Sequence, residues 1–388
     1  MSADFDVAIV GGGPAGTSTA LHLAIRDRIA PARVVMLERA TFPRDKPCAG
    51  AVSTWGLEAL ARLGVPLDVP HAPIDGLRVL AEGLVGQHRA PLGVVVRRAE
   101  FDASLWRRAC AAGVVGRDGE GLVAIARLAH GFRLTTGSGS FTVRMIAACD
   151  GSGSAVRKLL GVREAARKGH LYVTETPLTV RDEGPRDGLC DFDLRVCDAA
   201  VQGYYWDFPV VVDGRSAANR GIYHANFGRC PDLKATLARA LSARGVDGAA
   251  VRLRPFSTRP FVPSAPLGLP GVALVGEAAG IDATTGEGIA QAVLMGGIAA
   301  AHLARALRTG DDRLAAYPDA VRASRVGRHL LQSAWLARRV YGPTGARWRR
   351  FLASEPLARE AGAGWYAGQR LGWVAKARLA ARLALALA

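Results

Sequence analysis

A glycine-rich turn near the N-terminus limits the possible fold more than any other feature. Residues Gly11–Gly16 fit the pattern G-x-G-x-x-G and directly follow the short apolar run Phe5–Val10, which is typical of a buried parallel strand. In such a turn Gly11 permits the sharp bend, Gly13 lets a pyrophosphate approach the backbone, and Gly16 lets helix and strand pack closely. The following helix would offer its free N–H groups to the phosphates. The segment therefore predicts a dinucleotide-binding α/β fold.

A carboxylate at the expected distance supports this interpretation. Glu38 lies 22 residues beyond Gly16, at the end of the predicted second strand Arg33–Leu37, and Arg39 follows it. A carboxylate there can accept hydrogen bonds from ribose hydroxyls and would repel a 2′-phosphate. The pair of features is more specific than the glycine pattern alone.

Composition excludes several other classes. The chain has 388 residues, 49% of them hydrophobic and 22% charged, which suits a globular protein of two or three domains. The net charge of +16 comes mostly from arginine, yet no basic stripe interleaved with aromatic residues predicts nucleic-acid binding. No apolar run is long enough to predict a transmembrane helix, and the first residues do not resemble a secretory signal. The six cysteines form no CxxC pair, so we expect no metal site and no disulfide framework, and a cytoplasmic location.

Three later segments narrow the cofactor. Residues 149–157 read C-D-G-S-G-S-A-V-R, residues 275–280 read V-G-E-A-A-G, and residues 285–289 read T-G-E-G-I. Together they resemble the D-G-x-x-S-x-V-R, G-D-A-A-G and T-G-E-G-I segments of the geranylgeranyl reductase family of FAD-dependent oxidoreductases, within the para-hydroxybenzoate hydroxylase-like superfamily. The resemblance implies that Asp150 meets the nucleotide. It also implies that the helix after Gly288 points its N-terminus at the flavin ring, where it would stabilise the anion of reduced flavin.

One residue departs from the family pattern. Glu277 replaces the aspartate that binds the ribityl chain in the family, so its carboxylate must fold back or reach a different hydroxyl. Arg98 stands in a V-x-R-x-x-F-D pattern whose arginine, in the family, lies near the flavin phosphates or ribityl chain. The residues predicted to bind the cofactor are Gly11, Gly13, Pro14, Ala15, Gly16, Glu38, Arg39, Cys48, Ala49, Arg98, Asp150, Gly276, Glu277, Gly286, Gly288 and Ile289.

Two further segments favour the reductases over related flavoenzymes. Residues 46–50, K-P-C-A-G, resemble the P-C-[GA]-G loop of geranylgeranyl reductases, which lies near flavin and substrate. Cys48 is therefore a candidate catalytic proton donor, although a small packed thiol is the alternative. Residues 203–209, G-Y-Y-W-D-F-P, resemble the family's G-Y-x-W-x-F-P segment. Alternation along a strand places Tyr204 and Trp206 on one face as a candidate wall for a hydrophobic substrate.

The chain divides into three predicted regions. We expect a discontinuous FAD-binding domain of the Rossmann type, similar to glutathione reductase, over residues 1–72, 96–164 and 258–312. An inserted antiparallel β substrate domain is expected over residues 73–95 and 165–257. Residues 313–388 read as helical and contain no motif.

The reaction stays open between alternatives. The resemblance implies reduction of a C=C bond in a hydrophobic, prenyl-like or secondary-metabolite substrate, with NAD(P)H as transient electron donor. A monooxygenase using NAD(P)H and oxygen is the alternative, because substrate shape and oxygen access decide the chemistry on these folds. A flavin-binding protein without turnover is the second alternative. The C-terminal Ala/Leu helix with scattered cations also predicts peripheral membrane contact, against packing on the core or on a partner subunit.

Overall fold

The computed structural model describes residues 3–228, 230–369 and 371–387. Residues 1–2 of the predicted FAD-binding domain, residue 229 of the predicted substrate domain and residues 370 and 388 of the C-terminal region lie outside the described residues. The strands are β1 (Phe5–Val10), β2 (Val34–Glu38), β3 (Ala51–Ser53), β4 (His71–Ala81), β5 (Leu84–Val96), β6 (Val115–Asp118), β7 (Leu122–Arg127), β8 (Phe132–Thr136), β9 (Gly139–Ala148), β10 (Gly169–Pro177), β11 (Leu189–Asp193), β12 (Gly203–Val212), β13 (Arg215–His224), β14 (Arg254–Thr258), β15 (Gly268–Leu269) and β16 (Val272–Leu274).

The helices continue the same chain order. They are α1 (Pro14–Leu21), α2 (Thr54–Ala61), α3 (Arg98–Ala111), α4 (Ala155–Leu159), α5 (Glu183–Arg186), α6 (Leu233–Ala243), α7 (Ile289–Thr309), α8 (Tyr317–Ala323), α9 (Arg325–Val340), α10 (Gly345–Ser354), α11 (Pro356–Tyr366) and α12 (Trp373–Leu387). The helix predicted after the glycine-rich turn is α1, and a π-helical turn, His22–Arg26, follows it and ends the helical segment before Pro31.

The first sheet is a parallel core with an antiparallel extension. Its central order is β16-β9-β1-β2-β6, and each of these neighbours runs parallel to the next. Val7, Ala8 and Ile9 of β1 are fully buried because helices cover the sheet, as expected for a continuous apolar strand. Since parallel strands end at the same edge, the turns after β1, β2, β9 and β16 lie close together.

The second sheet is almost entirely antiparallel. Its order is β14-β10-β13-β12-β11-β4-β5-β3, and only β11 with β4 runs parallel. β3 pairs with β5 in this sheet, although residues 51–53 fall within the range predicted for the FAD-binding domain. The α/β fold with a second, mainly antiparallel sheet and a helical C-terminus confirms the predicted fold class.

Helix α7 passes through the core beside α1. It is long and apolar enough to cross a membrane, but 67% of its most apolar window is buried inside the protein, as in the core helix of a globular fold. Among the described residues no other helix meets that criterion. Gly310, at a φ of 75°, ends α7, and of the helices that follow, α10 and α11 pack on β4 and β5 of the second sheet.

Two of the C-terminal helices, α9 and α11, begin with residues that favour a helix start. The Ser324 hydroxyl accepts a hydrogen bond from the Gly327 N–H at 3.0 Å and starts α9. Pro356 occupies the first turn of α11, where its missing N–H costs nothing. Helices α10 and α11 pack on β5, which places them beside the second sheet.

Candidate functional site

The glycine-rich turn has the geometry that its sequence predicts. Gly11 adopts a φ of 107° and donates its N–H to Leu37 O at 2.7 Å, which ties the turn to the end of β2. A Cβ on Gly16 would lie 1.9 Å from Gly11 O, so only glycine permits this approach of α1 to the turn. Gly13 precedes α1, whose N-terminus receives no side-chain cap. The first N–H groups of α1 are therefore free to bind an anion.

A cluster of charges surrounds this helix N-terminus. Arg98 is buried and forms a two-pronged ion pair with Asp102, with N···O distances of 2.7 and 2.6 Å. Arg44 reaches Asp102 at 3.2 Å and Glu38 at 3.4 Å. A Cβ on Gly13 would lie 3.4 Å from one Arg44 nitrogen and 3.8 Å from one Arg98 nitrogen. Two guanidinium groups thus face the position where a pyrophosphate would approach Gly13.

Glu38 closes the end of β2, as expected from its position. Its carboxylate accepts hydrogen bonds from the Gly12 N–H at 3.0 Å and the Ala40 N–H at 3.2 Å. The side chain is buried, whereas the neighbouring Arg39 is exposed. The turn and the carboxylate therefore form one bonded unit, and the contact of the exposed Arg39 with the cofactor stays a prediction.

The turn after β9 leaves a buried polar atom unsatisfied. Asp150 Oδ2 accepts the Val156 N–H at 3.0 Å, but Oδ1 is buried without a hydrogen-bond partner among the described residues. Burial raises the pKa of Asp150, despite hydrogen bonds that favour its charged form. An unsatisfied buried carboxylate oxygen is costly unless a bound group completes it.

Glu277, which replaces the aspartate of the family pattern, forms an ion pair with a lysine. Its Oε2 lies 3.3 Å from Lys46 Nζ, and a Cβ on Gly151 would lie 3.6 Å from the same oxygen. Lys46 also lies over the Phe256 ring, 4.9 Å from its centroid. The ion pair joins the loop that carries Cys48 to the turn after β16.

A buried aspartate organises the loop before α7. Asp282 accepts hydrogen bonds from the Thr284 N–H at 2.6 Å, the Thr285 N–H at 3.1 Å and the Thr285 hydroxyl at 2.7 Å. The Ser333 hydroxyl of α9 donates to the same carboxylate. Burial opposes the ionisation of Asp282. The pKa of Asp282 is nevertheless below its usual value, because His329 contributes a hydrogen bond and a positive charge, and Ser333 and Thr285 contribute hydrogen bonds. The carboxylate thus fixes the N–H side of the loop.

Three tyrosines fix the carbonyl side of the same loop. The Tyr223 hydroxyl donates to Ala283 O at 3.2 Å, the Tyr341 hydroxyl donates to Thr284 O at 2.6 Å, and the Tyr204 hydroxyl donates to Thr285 O. The tyrosines come from β13, from the end of α9 and from β12. We call residues 282–285 with these three phenols the tyrosine clamp. It anchors the residues that lead into the T-G-E-G segment and its first residue, Thr285.

The start of α7 is built from glycines and a half-buried carboxyl group. Gly286 has a φ of 69°, and a Cβ there would lie 3.3 Å from the Tyr223 ring. Gly288 precedes α7, and Glu287 Oε1 accepts the Ala290 N–H at 3.1 Å. Burial raises the pKa of Glu287 to about 8, with a smaller contribution from Asp282. Glu287 is thus largely protonated at neutral pH.

The Cys48 loop is tied to the second sheet through one amide. Asn219 Nδ2 donates to Cys48 O at 3.1 Å, and Trp206 Nε1 donates to Asn219 Oδ1 at 2.9 Å. The Cys48 thiol accepts the Gly50 N–H at 3.4 Å and lies near Arg98. Ala49 packs against the apolar core of the second sheet. Trp206 thus supports this loop.

An apolar cavity lies between the second sheet and the C-terminal helices. With its open mouth it encloses about 820 Å³. The sheet, the tyrosine clamp and helices α9 to α11 contribute its lining: Ile74, Leu77, Val79, Leu92, Cys190, Phe192, Leu194, Tyr204, Phe208, Thr284, Thr285, Leu336, Val340, Tyr341, Leu352, Gly362, Trp365 and Tyr366. Tyr204 lines the cavity as the sequence predicts, whereas Trp206 is buried beside it and does not line the described cavity.

The structure brings most predicted site residues to one region. The turns after β1, β2, β9 and β16 lie at one edge of the first sheet, with the Cys48 loop and Arg98 beside them. Gly276, at a φ of 59°, lets α1 and α7 approach, since a Cβ there would lie 2.9 Å from the Ala15 Cβ. Sequence reasoning missed Arg44, Asp102, Asp282, Asn219 and the C-terminal tyrosines. Two of these could have been suspected from their positions: Asp102 is the last residue of the V-x-R-x-x-F-D pattern, and Asp282 lies just before T-G-E-G.

The residues present fit a bound dinucleotide. The uncapped start of α1, the guanidinium groups of Arg44 and Arg98 and the unsatisfied Asp150 Oδ1 all face the same edge. Arg98, however, already binds Asp102, so its contact with a phosphate stays a prediction.

Comparison with known proteins places the chain among flavoenzymes. No protein-family profile matches it. It is 26% identical over 339 residues to a digeranylgeranylglycerophospholipid reductase of Thermoplasma acidophilum, covering 79% of this chain and 80% of that protein. It is 31% identical over 224 residues to the 12-dehydrotetracycline 5-monooxygenase/anhydrotetracycline 6-monooxygenase of Streptomyces rimosus, covering 50% of this chain but only 42% of that protein.

A solved structure shows the same fold. The geranylgeranyl bacteriochlorophyll reductase-like protein of Thermoplasma acidophilum superposes with a TM-score of 0.73 at 22% identity, covering 93% of this chain and 95% of that one. The predicted resemblance, the fold class and the class of enzyme are confirmed. The chain is therefore a flavin-dependent oxidoreductase whose sequence and fold are similar to those of geranylgeranyl reductase-like proteins.

Proposed function

We propose that the protein binds FAD and uses it to reduce a carbon–carbon double bond in a hydrophobic substrate, with NAD(P)H as transient electron donor. The observation that carries the proposal is the position of the apolar cavity. Thr284 and Thr285 line it, and Thr285 is the first residue of the segment that resembles the flavin-facing T-G-E-G-I of the family. A substrate in the cavity would thus lie against the predicted flavin site.

FAD bound at this edge would supply hydride transfer. The chain's own residues would bind the cofactor, orient it and exclude water from the site. The start of α1 with Arg44 and Arg98 would hold the phosphates, and the tyrosine clamp would hold the segment beneath the ring. The apolar lining would exclude water from the reacting centre. The Cys48 thiol is the candidate proton donor to the substrate carbon.

A monooxygenase is the second candidate. The relative with 31% identity, which aligns with 50% of this chain, is named as a monooxygenase. The two reactions need the same cavity and the same cofactor, so the structure of the site supports both. Flavin binding without turnover is the least supported alternative, because the two relatives described above are named as a monooxygenase and a reductase.

Product analysis distinguishes the reactions. The purified protein, FAD and NADPH are incubated with hydrophobic alkenes with and without oxygen, and products are examined by mass spectrometry. A gain of two hydrogen atoms without oxygen supports the reductase, whereas a gain of one oxygen atom in air supports the monooxygenase. Flavin absorbance follows reduction by NADPH separately. Slow reduction without any product would contradict both enzymatic proposals.

A further inference from the structure

The cavity contains three phenols, and two of them are already engaged. Tyr204 and Tyr341 donate their hydroxyl groups to carbonyls of the tyrosine clamp. The third phenol, Tyr366 at the end of α11, is 91% buried, since only 9% of its surface is exposed. Its hydroxyl oxygen has no hydrogen-bond partner among the described residues. A buried hydroxyl without a partner costs about 1–3 kcal/mol, so a group that completes it would bind there favourably.

The surroundings of this hydroxyl place it between the cavity and the predicted flavin site. The Tyr366 ring lines the cavity, and the phenol lies within electrostatic range of Glu287, Cys190, Tyr204 and Cys48. Cys190 and Tyr204 also line the cavity, whereas Glu287 and Cys48 belong to the segments assigned to the flavin. Burial, followed by the Glu287 charge, raises the pKa of Tyr366 well above its ordinary value. The hydroxyl therefore stays protonated and can donate a hydrogen bond.

The rest of the lining limits what the hydroxyl can bind. The described lining contains no lysine, arginine, histidine, aspartate or glutamate. An anionic group inside the cavity would lose its hydration without gaining a cation, at a cost of several kcal/mol. The polar groups of Thr284, Thr285, Tyr204 and Tyr341 are largely engaged within the tyrosine clamp.

We propose that Tyr366 is the substrate-binding residue that selects an uncharged, apolar ligand carrying one hydrogen-bond-accepting oxygen, such as a carbonyl. The inference rests on the proposed function for the identity of the cavity as the substrate site. It narrows that function, because a molecule whose phosphate or carboxylate must enter the cavity is excluded. The C-terminal helices thereby gain a specific role in substrate choice.

Three probes of nearly equal shape test this assignment. Methyl nonyl ketone carries the carbonyl, the matching alkene has a methylene in place of the oxygen, and decanoate has an oxygen anion in place of the methyl group. Binding to the oxidised, FAD-loaded protein is measured by isothermal titration calorimetry. We expect the ketone to bind about three- to tenfold more tightly than the alkene, as one net hydrogen bond predicts. We expect decanoate at neutral pH to bind at least about a hundredfold more weakly than the ketone.

Tyr366→Phe should abolish the preference for the ketone over the alkene and leave alkene binding unchanged. Tyr341→Phe is the matched control, because its hydroxyl already bonds to Thr284 O. Any change it causes should be the same for ketone and alkene. A preference that survives in Tyr366→Phe overturns the assignment, and decanoate binding as tight as ketone binding overturns the exclusion of anions.

The binding test can fail separately from the proposed function. Flavin absorbance and NADPH reduction are measured on the same preparation before titration. If reduction by NADPH or product formation fails while the ketone preference is present and depends on Tyr366, the proposed function is wrong and the ligand site stands. If reduction and product formation succeed without a Tyr366-dependent preference, the proposed function stands and the role assigned to Tyr366 is wrong.

Discussion

Gly11 and Gly13 stand two residues apart, but a methyl group would meet different surroundings at each. At Gly11 the φ of 107° and a distance of 2.4 Å from the new Cβ to Cys149 O make alanine incompatible with the turn. At Gly13 the nearest atoms are ends of arginine side chains at 3.4 and 3.8 Å, which can move. Gly13→Ala should therefore fold normally but lower FAD affinity by about tenfold or more, because its methyl group occupies the approach of the pyrophosphate.

Thermal unfolding without added FAD and FAD titration by fluorescence separate the two variants. Gly11→Ala should lose several degrees of melting temperature even without FAD, as strained backbone costs about 1–3 kcal/mol. Gly13→Ala should keep the melting temperature of the FAD-free protein. An unchanged FAD affinity in Gly13→Ala would show that no phosphate approaches this residue.

The proposed role of Cys48 as a proton donor can be tested directly by substitution. If its thiol protonates the substrate, Cys48→Ser should lower kcat by about a hundredfold while FAD affinity stays the same. Cys230→Ser is the control, because Cys230 is an exposed free thiol. The measurement is steady-state turnover of a substrate found by product analysis. An unaltered kcat would leave Cys48 as a packed group that supports the loop.

Glu287 gives the site a pH dependence with a defined sign. Its pKa rises from 4.5 to about 8 in the folded protein. Between those values the folded state keeps a proton that the unfolded state releases, so this group makes stability fall as pH rises. Its stabilising effect is complete below about pH 4.5 and is lost as pH rises through about 8.

Glu287→Gln removes this titration and keeps an oxygen that can accept the Ala290 N–H. The free energy of unfolding, measured in urea at several pH values, should therefore fall less steeply with pH in the variant than in the parent. Other titrating groups contribute equally to both proteins. Parallel pH profiles would contradict the raised pKa.

At the scale of secondary-structure elements, the loop before α7 depends on groups far away in sequence. Asp282→Asn replaces an acceptor of several hydrogen bonds by an amide that can accept at only one atom. We expect a loss of about 2–4 kcal/mol in the free energy of unfolding and a weaker hold on FAD. Asp319→Asn is the control, since Asp319 is exposed and pairs only with Arg322 at 3.5 Å in the described structure. Equal stability of the two variants would contradict the role given to Asp282.

The same loop explains how far the sequence could predict this site. Turns such as Gly11–Gly16 and Thr285–Ile289 are local, because glycine positions and helix starts decide them. The tyrosine clamp is not local: Tyr341 is 57 residues from Thr284, and Tyr204 is 81 residues from Thr285. A local sequence pattern cannot predict contacts between residues so far apart in the chain. For that reason residues 313–388 contained no readable motif, yet α9 to α11 form one wall of the cavity.

At the scale of the whole molecule, the chain has a net charge of +16, and α12 is the basic surface best suited to contact a membrane. This helix packs on α10, and Trp373 is 81% exposed at its start. It carries Lys376, Arg378 and Arg382 and no acidic residue. An exposed tryptophan with cations suits the interface of an anionic bilayer. We propose peripheral contact with anionic lipid through α12, which would bring the protein to a source of hydrophobic substrate.

Vesicle sedimentation tests this contact on the FAD-loaded protein. The full chain should sediment with phosphatidylglycerol vesicles much more than with phosphatidylcholine vesicles, and salt should reduce the binding because it screens charge. Truncation after residue 370 should lower binding to the anionic vesicles by about tenfold or more, since each basic residue near the surface contributes about 1 kcal/mol. Arg378→Gln with Arg382→Gln in the full chain should lower it less, because Lys376 and Trp373 remain. Undiminished binding of the truncated chain would assign the contact to another basic surface and exclude α12.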